Sequence, residues 1–145
     1  MKPAFNKTLG VSLAVALIAC VNSAVAETLV IVHPTNRIAA LSTDEVARIY
    51  LGKLRSFPGG GHVDPIDQSE GSAARKAFCA TYLDMTEADV KRQWSKLMFS
   101  GKGRPPVEVD GDQAVKAAVT GNTAAIGYID SANVDDSVKV IDVKP

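Results

Sequence analysis

Hydrophobic and polar positions fall into blocks that switch between a strand-like and a helix-like period. Thr28-Leu29-Val30-Ile31-Val32 is an unbroken β-prone apolar run, which predicts a strand buried on both faces, as in a parallel sheet. His33-Pro34-Thr35-Asn36 ends it. Leu41-Ser42-Thr43-Asp44-Glu45 opens a helix, because Ser42 is a good N-cap and Glu45, three residues on, completes a capping box. Val46, Ile49 and Tyr50 make its apolar face, and Gly52 stops it. Gly59, Gly60 and Gly61 mark a loop. A strand over 63–67 follows, which Pro65 predicts to be short or at an edge. A helix over 72–83 is expected to bury Phe78, Cys79 and Tyr82. Thr86 caps the next, over 87–98, with Val90, Trp94, Leu97 and Met98 at helical spacing.

Ser100-Gly101-Lys102-Gly103-Arg104-Pro105-Pro106 reads as a basic, glycine-rich loop. Asp110-Gly111-Asp112-Gln113 supplies cap residues for a short helix through Val119, and Gly121-Asn122 ends it. Ala125-Ile126-Gly127-Tyr128-Ile129 is a strand whose glycine suggests close approach of another backbone or a ligand. A final strand covers 138–143. The order is β-α-β-α-α-α-β-β, an α/β sandwich.

The first 26 residues read differently. Lys2 and Lys7 form a positive start, an apolar run too short to span a bilayer follows, and Ala24-Val25-Ala26 fits a small-x-small cleavage site. Residues 1–26 are therefore expected to be a secretory signal peptide and residues 27–145 one domain, which places the protein in the periplasm. Leu17-Ile18-Ala19-Cys20 resembles a lipoprotein box, so lipid anchoring at Cys20 is the alternative. Either cleavage leaves Cys79 as a lone cysteine, read as a buried small hydrophobe.

With 46% hydrophobic and 22% charged residues the chain should fold, and its 16 basic and 16 acidic side chains balance. No block of like charge points to nucleic acid. His33 and His62 lack metal-ligand spacing, and the hydrolase and P-loop templates are absent, so neither enzyme chemistry nor a cofactor is expected. Asp67 and Glu70 at a helix mouth read as caps or solvated groups before a catalytic pair. The chemistry concentrates at Ser69-Glu70-Gly71-Ser72, where a turn feeds a helix. Its N–H groups and dipole suit an anion. Ser69 and Ser72 add hydroxyls and Arg75 a charge one turn in. Lys102 and Arg104, between glycines, form a second anion-compatible feature.

Three blocks together resemble the phosphate-binding proteins of bacterial ABC importers, which have the type 2 periplasmic binding protein fold. Residues 41–53 are similar to that family's helix ending in I-[FY]-x-G-K. Asp67 to Ser72 with Phe78 is similar to its D-G-S-G-T turn and following aromatic. Gly101-Lys102-Gly103, then Ala125-Ile126-Gly127-Tyr128, is similar to its G-x-G loop and A-I-G-Y strand. Gly71 and Ser72 carry over; no arginine precedes the turn, and Glu70 stands where a serine would donate. The glycine- and serine-rich stretch that opens the family's first lobe has no counterpart, so the resemblance implies a single lobe. It implies a phosphate or oxyanion ligand and an ABC importer permease or a membrane sensor as partner; taken with the turn and loop chemistry, the candidate ligand-binding residues are Ser69, Glu70, Gly71, Ser72, Arg75, Lys102 and Arg104. The alternative is a periplasmic interaction or sensory module that kept the fold without the ligand, with Glu70 in the helix mouth.

Overall fold

The structure is a computed structural model that describes residues 27–145. The expected signal peptide, with Cys20, lies outside the described residues. A five-stranded sheet has the order β4 (Val107–Val109), β3 (Asp64–Gln68), β5 (Ala125–Asp130), β1 (Thr28–Val32), β6 (Lys139–Val140). Strand β1 (Thr28–Val32) pairs antiparallel with β5 (Ala125–Asp130), Thr28 opposite Asp130, and antiparallel with β6 (Lys139–Val140). The expectation of a parallel neighbour for β1 is thus corrected. Burial on both faces comes from what covers the sheet, and it does not depend on strand direction.

Strand β3 (Asp64–Gln68) runs parallel to both β5 and β4 (Val107–Val109). It is an interior strand, not an edge. Pairing with β4 starts at Ile66, one residue past Pro65, so the missing proline N–H interrupts nothing on that side. The strand expected over 138–143 is split. β6 joins the main sheet, and β7 (Asp142–Lys144) pairs in parallel with β2 (Ala40–Ser42), a short strand the pattern did not signal.

Helix α1 (Thr43–Tyr50) begins with the expected capping box: Glu45 N donates to Ser42 Oγ at 3.0 Å and Ser42 N donates to Glu45 Oε2 at 2.8 Å. Helix α2 (Ala73–Phe78) continues as a π-helical turn, Cys79–Leu83. Helix α3 (Glu87–Phe99) has Thr86 as its N-cap, as expected. Helix α4 (Asp112–Thr120) begins at Gly111, which has no side chain to cap with, so the expected side-chain capping is absent. A short 3-10 turn, Ser131–Asn133, follows β5. The expected order survives with the added strands β2 and β4 and the divided last strand.

Alternation along β1 and β5 builds the core on two faces. Val30, Val32, Ile126 and Tyr128 face α1, α2 and α3, with Tyr50, Phe78 and Trp94. Ile31, Ala125 and Ile129 face α4, with Val115 and Val119. Each such side chain, fully buried, contributes about 1.5–3 kcal/mol. Phe78 stacks on Tyr128 with ring centres 4.0 Å apart, and Tyr50 meets Phe78 edge-on at 4.6 Å. Trp94 is a core anchor whose indole N–H donates to the Tyr50 carbonyl at 3.1 Å. Gly127 is closely approached by side chains, not by another backbone: a Cβ there would lie 2.6 Å from Val115 Cγ1. Among the described residues no helix is long and apolar enough to cross a membrane.

Candidate functional site

Parallel β3 delivers Asp67 and Gln68 to its C-terminal end, where Ser69, Glu70 and Gly71 turn the chain into α2. Gly71 has φ +87°, a conformation that favours glycine. Ser72 is the N-cap, and its Oγ accepts from Arg75 N at 3.1 Å. Ser69 is directed at β4, with its N and Oγ both donating to the Val109 carbonyl, at 3.0 and 3.3 Å. Glu70 is exposed and pairs with Lys91 at 3.4 Å.

The group in the mouth is Glu87, the first residue of α3. Gly71 N donates to Glu87 Oε1 at 3.0 Å. Arg75, only 6% exposed, points inward to the same place. Its Nη1 donates to Glu108 Oε1 at 2.6 Å and to the Gln68 carbonyl at 3.1 Å. Its Nη2 lies 3.7 Å from Asp67 Oδ2. Its Nε lies 3.5 Å from Glu87 Oε1 and makes no hydrogen bond among the described residues. One guanidinium thus faces three carboxylates. Burial pulls its pKa down, but Asp67 and Glu108 outweigh that and the net direction is up.

Asp67 anchors a further network. Its Oδ1 accepts from the Tyr128 hydroxyl and from Gln68 N at 2.9 Å. Burial pushes the Asp67 carboxyl up, while Tyr128 and Arg75 pull it back. Burial, then the Asp67 charge, push the Tyr128 phenol far up, so it remains a donor. Gln68 Nε2 donates to Asp112 Oδ1 at 2.7 Å and to the Tyr128 carbonyl at 3.0 Å. Asp112 Oδ2 accepts from Asp130 N at 3.0 Å and Asn133 Nδ2 at 2.7 Å. Apart from Arg75 Nε, these buried polar groups are matched across four elements, and the Gly71 N–H faces a carboxylate of the chain itself.

Lys102 and Arg104 are elsewhere. Arg104 lines a cavity with Val63 and Pro65, at the start of β3. The carbonyl of Lys102 accepts from Arg55 Nη2 at 2.8 Å. About 13 Å of strand separates Pro65 from Ser69. The structure therefore gathers Ser69, Gly71, Ser72 and Arg75 at one end of β3, pairs the exposed Glu70 with Lys91, and leaves Lys102 and Arg104 at the other end. Glu87 and Glu108 were missed by sequence reading. No group of three or more His, Cys, Asp or Glu among the described residues is placed to hold a metal ion.

This architecture has close counterparts among solved structures. A Clostridium perfringens protein described as a phosphate ABC transporter substrate-binding protein, solved with bound phosphate, superposes with a TM-score of 0.67 at 27% identity, over 81% of this chain and 45% of its own. The chain has the fold of a phosphate-binding-protein lobe. An ABC-type phosphate transport receptor from Vibrio cholerae matches with a TM-score of 0.65 at 19% identity, over 81% of this chain and 46% of its own. PstS from Borrelia burgdorferi matches with a TM-score of 0.63 at 14% identity, over 81% and 47%. The chain spans about half the length of these phosphate-binding-protein structures, whose descriptions are those of solute-binding transport proteins. No family model matches it, and no curated protein matches it in sequence.

Proposed function

We propose that this protein is a periplasmic recognition module with the phosphate-binding-protein fold, in which the Glu87 carboxylate stands where the fold would receive an anion. One observation carries the reading: the Gly71 N–H donates to Glu87 Oε1 at 3.0 Å, and that oxygen lies 3.5 Å from Arg75 Nε. A phosphate entering there meets Glu87, Glu108 and Asp67 against a single guanidinium. Each unit charge pair at about 4 Å is worth about 4 kcal/mol at the dielectric typical near a protein surface. Repulsion therefore outweighs the helix-terminus attraction of about 1 kcal/mol.

In this reading the segment 1–26 directs export, with lipidation at Cys20 as the alternative route to the membrane surface. The domain then docks onto an ABC importer permease or a membrane sensor, with no enzymatic step. A second reading is favoured by the phosphate in the Clostridium perfringens structure: the protein carries phosphate or a related oxyanion on Gly71, Ser72, Ser69 and Arg75, after Glu87 swings away. Lys102 and Arg104, at the far end of β3, do not contribute to that ligand.

Isothermal titration of the exported protein with inorganic phosphate separates the two. The module reading predicts no binding heat up to millimolar phosphate. Saturable heat in the micromolar range would establish the oxyanion carrier instead.

A further inference from the structure

A cavity of about 470 Å³ lies between the loop after α1 and the loop after α3, away from the Gly71 turn. Leu54, Val63, Pro65 and Trp94 give it apolar walls, and Arg55 and Arg104 stand at its border. That volume is within the range of small-molecule sites, which combine apolar walls with a few convergent polar groups. The two loops are joined where Arg55 Nη2 donates to the Lys102 carbonyl at 2.8 Å. Gly52 and Gly103 make room for the Trp94 ring: a Cβ at Gly52 would lie 2.6 Å from Trp94 Cη2, and one at Gly103 3.4 Å from Cζ3.

The charge of this cavity is one-sided. Among the described residues neither Arg55 nor Arg104 has a carboxylate within ion-pair distance. The acid beside the rim is Asp64, and it is already engaged, by His62 Nε2 at 2.7 Å and by Asn122 Nδ2 at 2.9 Å. The contrast with Arg75, which faces three carboxylates, is complete. Guanidinium groups pair with carboxylates in a fork-to-fork geometry, and apolar walls favour a hydrocarbon body behind the charged head.

We propose that the Arg55–Arg104 cavity is a binding site for a small organic carboxylate with an apolar body. This site is independent of the Gly71 turn, and its ligand class differs from an inorganic oxyanion. Trp94, the sole tryptophan of the chain, borders the cavity and reports occupancy directly.

The test is a tryptophan-fluorescence titration of the exported protein with cyclohexanecarboxylate, with neutral cyclohexanemethanol and inorganic phosphate as comparison arms. The site predicts a saturable change with the carboxylate and none of comparable affinity with the alcohol or phosphate. Losing one charged hydrogen-bond partner should weaken binding at least about tenfold in Arg104→Gln. Because Arg104 is exposed, thermal melts by circular dichroism should be unchanged in that variant. Arg55→Lys should weaken binding less than Arg55→Ala. A carboxylate response absent into the millimolar range, matched by the alcohol, or unaltered in Arg104→Gln would overturn the proposal. Phosphate calorimetry bears only on the Gly71 turn, so failure there leaves this site standing.

Discussion

Glu87, the first residue of α3, holds the backbone N–H of Gly71 sixteen residues earlier in the chain, at 3.0 Å. This bond joins the turn before α2 to the start of α3. It also brings the carboxylate within 3.5 Å of Arg75 Nε. Two features that suit an anion, a helix entry and a buried cation, thereby share an acid supplied by the same chain.

Arg75 is the electrostatic pivot of that arrangement. Replacing it with Met would leave the buried Asp67, with Glu87 and Glu108, without their shared cation. Breaking a buried pair from one side costs about 3–5 kcal/mol. Urea unfolding of Arg75→Met should show a loss of that order. Adding Asp67→Asn should recover part of it, because the stranded charge is then gone.

Gly127 marks where α4 presses on the sheet. A Cβ there would sit 2.6 Å from Val115 Cγ1 and 3.3 Å from Val119 Cγ2. Gly127→Ala should destabilise by about 1–3 kcal/mol through overpacking. Trimming the neighbour, in Gly127→Ala with Val115→Ala, should cost less than the sum of the two single changes. A double-mutant cycle in urea reads that coupling.

How much of this was visible in the amino-acid order depends on range. The capping box at Ser42 and the cap at Thr86 were legible because the partners lie within three residues; that Asp89 completes a second box was not read. The two-faced burial of β1 was legible from its unbroken apolar run, but its antiparallel partners were not, since burial carries no strand direction. Pro65 suggested an edge because the pattern does not reveal where pairing with β4 begins. The turn at Ser69–Ser72 was legible, but the Glu87 contact to its Gly71 N–H was not. Glu87 and Glu108 reach the site from α3 and β4, and nothing local distinguishes them from solvated carboxylates. Glu70, adjacent in sequence, drew attention for its proximity, yet it points to Lys91. Lys102 and Arg104 were grouped with the turn on their charge and flanking glycines, and β3 holds the two places apart.

Asp135 supplies a pH-dependent contribution on the α4 side. It accepts from Lys116 Nζ, from the Ser137 hydroxyl and from Ser137 N, and Lys116 first, then Ser137, hold its pKa at about 2. Its folded pKa is below the ordinary 3.8. The ionised group therefore stabilises above that ordinary value, and the contribution is lost as pH falls through about 2. The urea midpoint of wild type should exceed that of Asp135→Asn at neutral pH, and the gap should close across that acid window.

Cys79 is buried, and burial, then the Asp67 charge, push its thiol up to about 11. Thiolate is the reactive form. Alkylation by iodoacetamide at neutral pH should be slow in native protein and fast in urea, as expected for a packing cysteine.

The central claim is that Glu87 occupies the anion position. The direct measurement is the amide resonance of Gly71 during titration with inorganic phosphate, in wild type and in Glu87→Ala. The account predicts a Gly71 amide that phosphate leaves unmoved in wild type and shifts saturably once the carboxylate is removed. A saturable phosphate shift of that amide in wild type, at the same affinity as in Glu87→Ala, would contradict it.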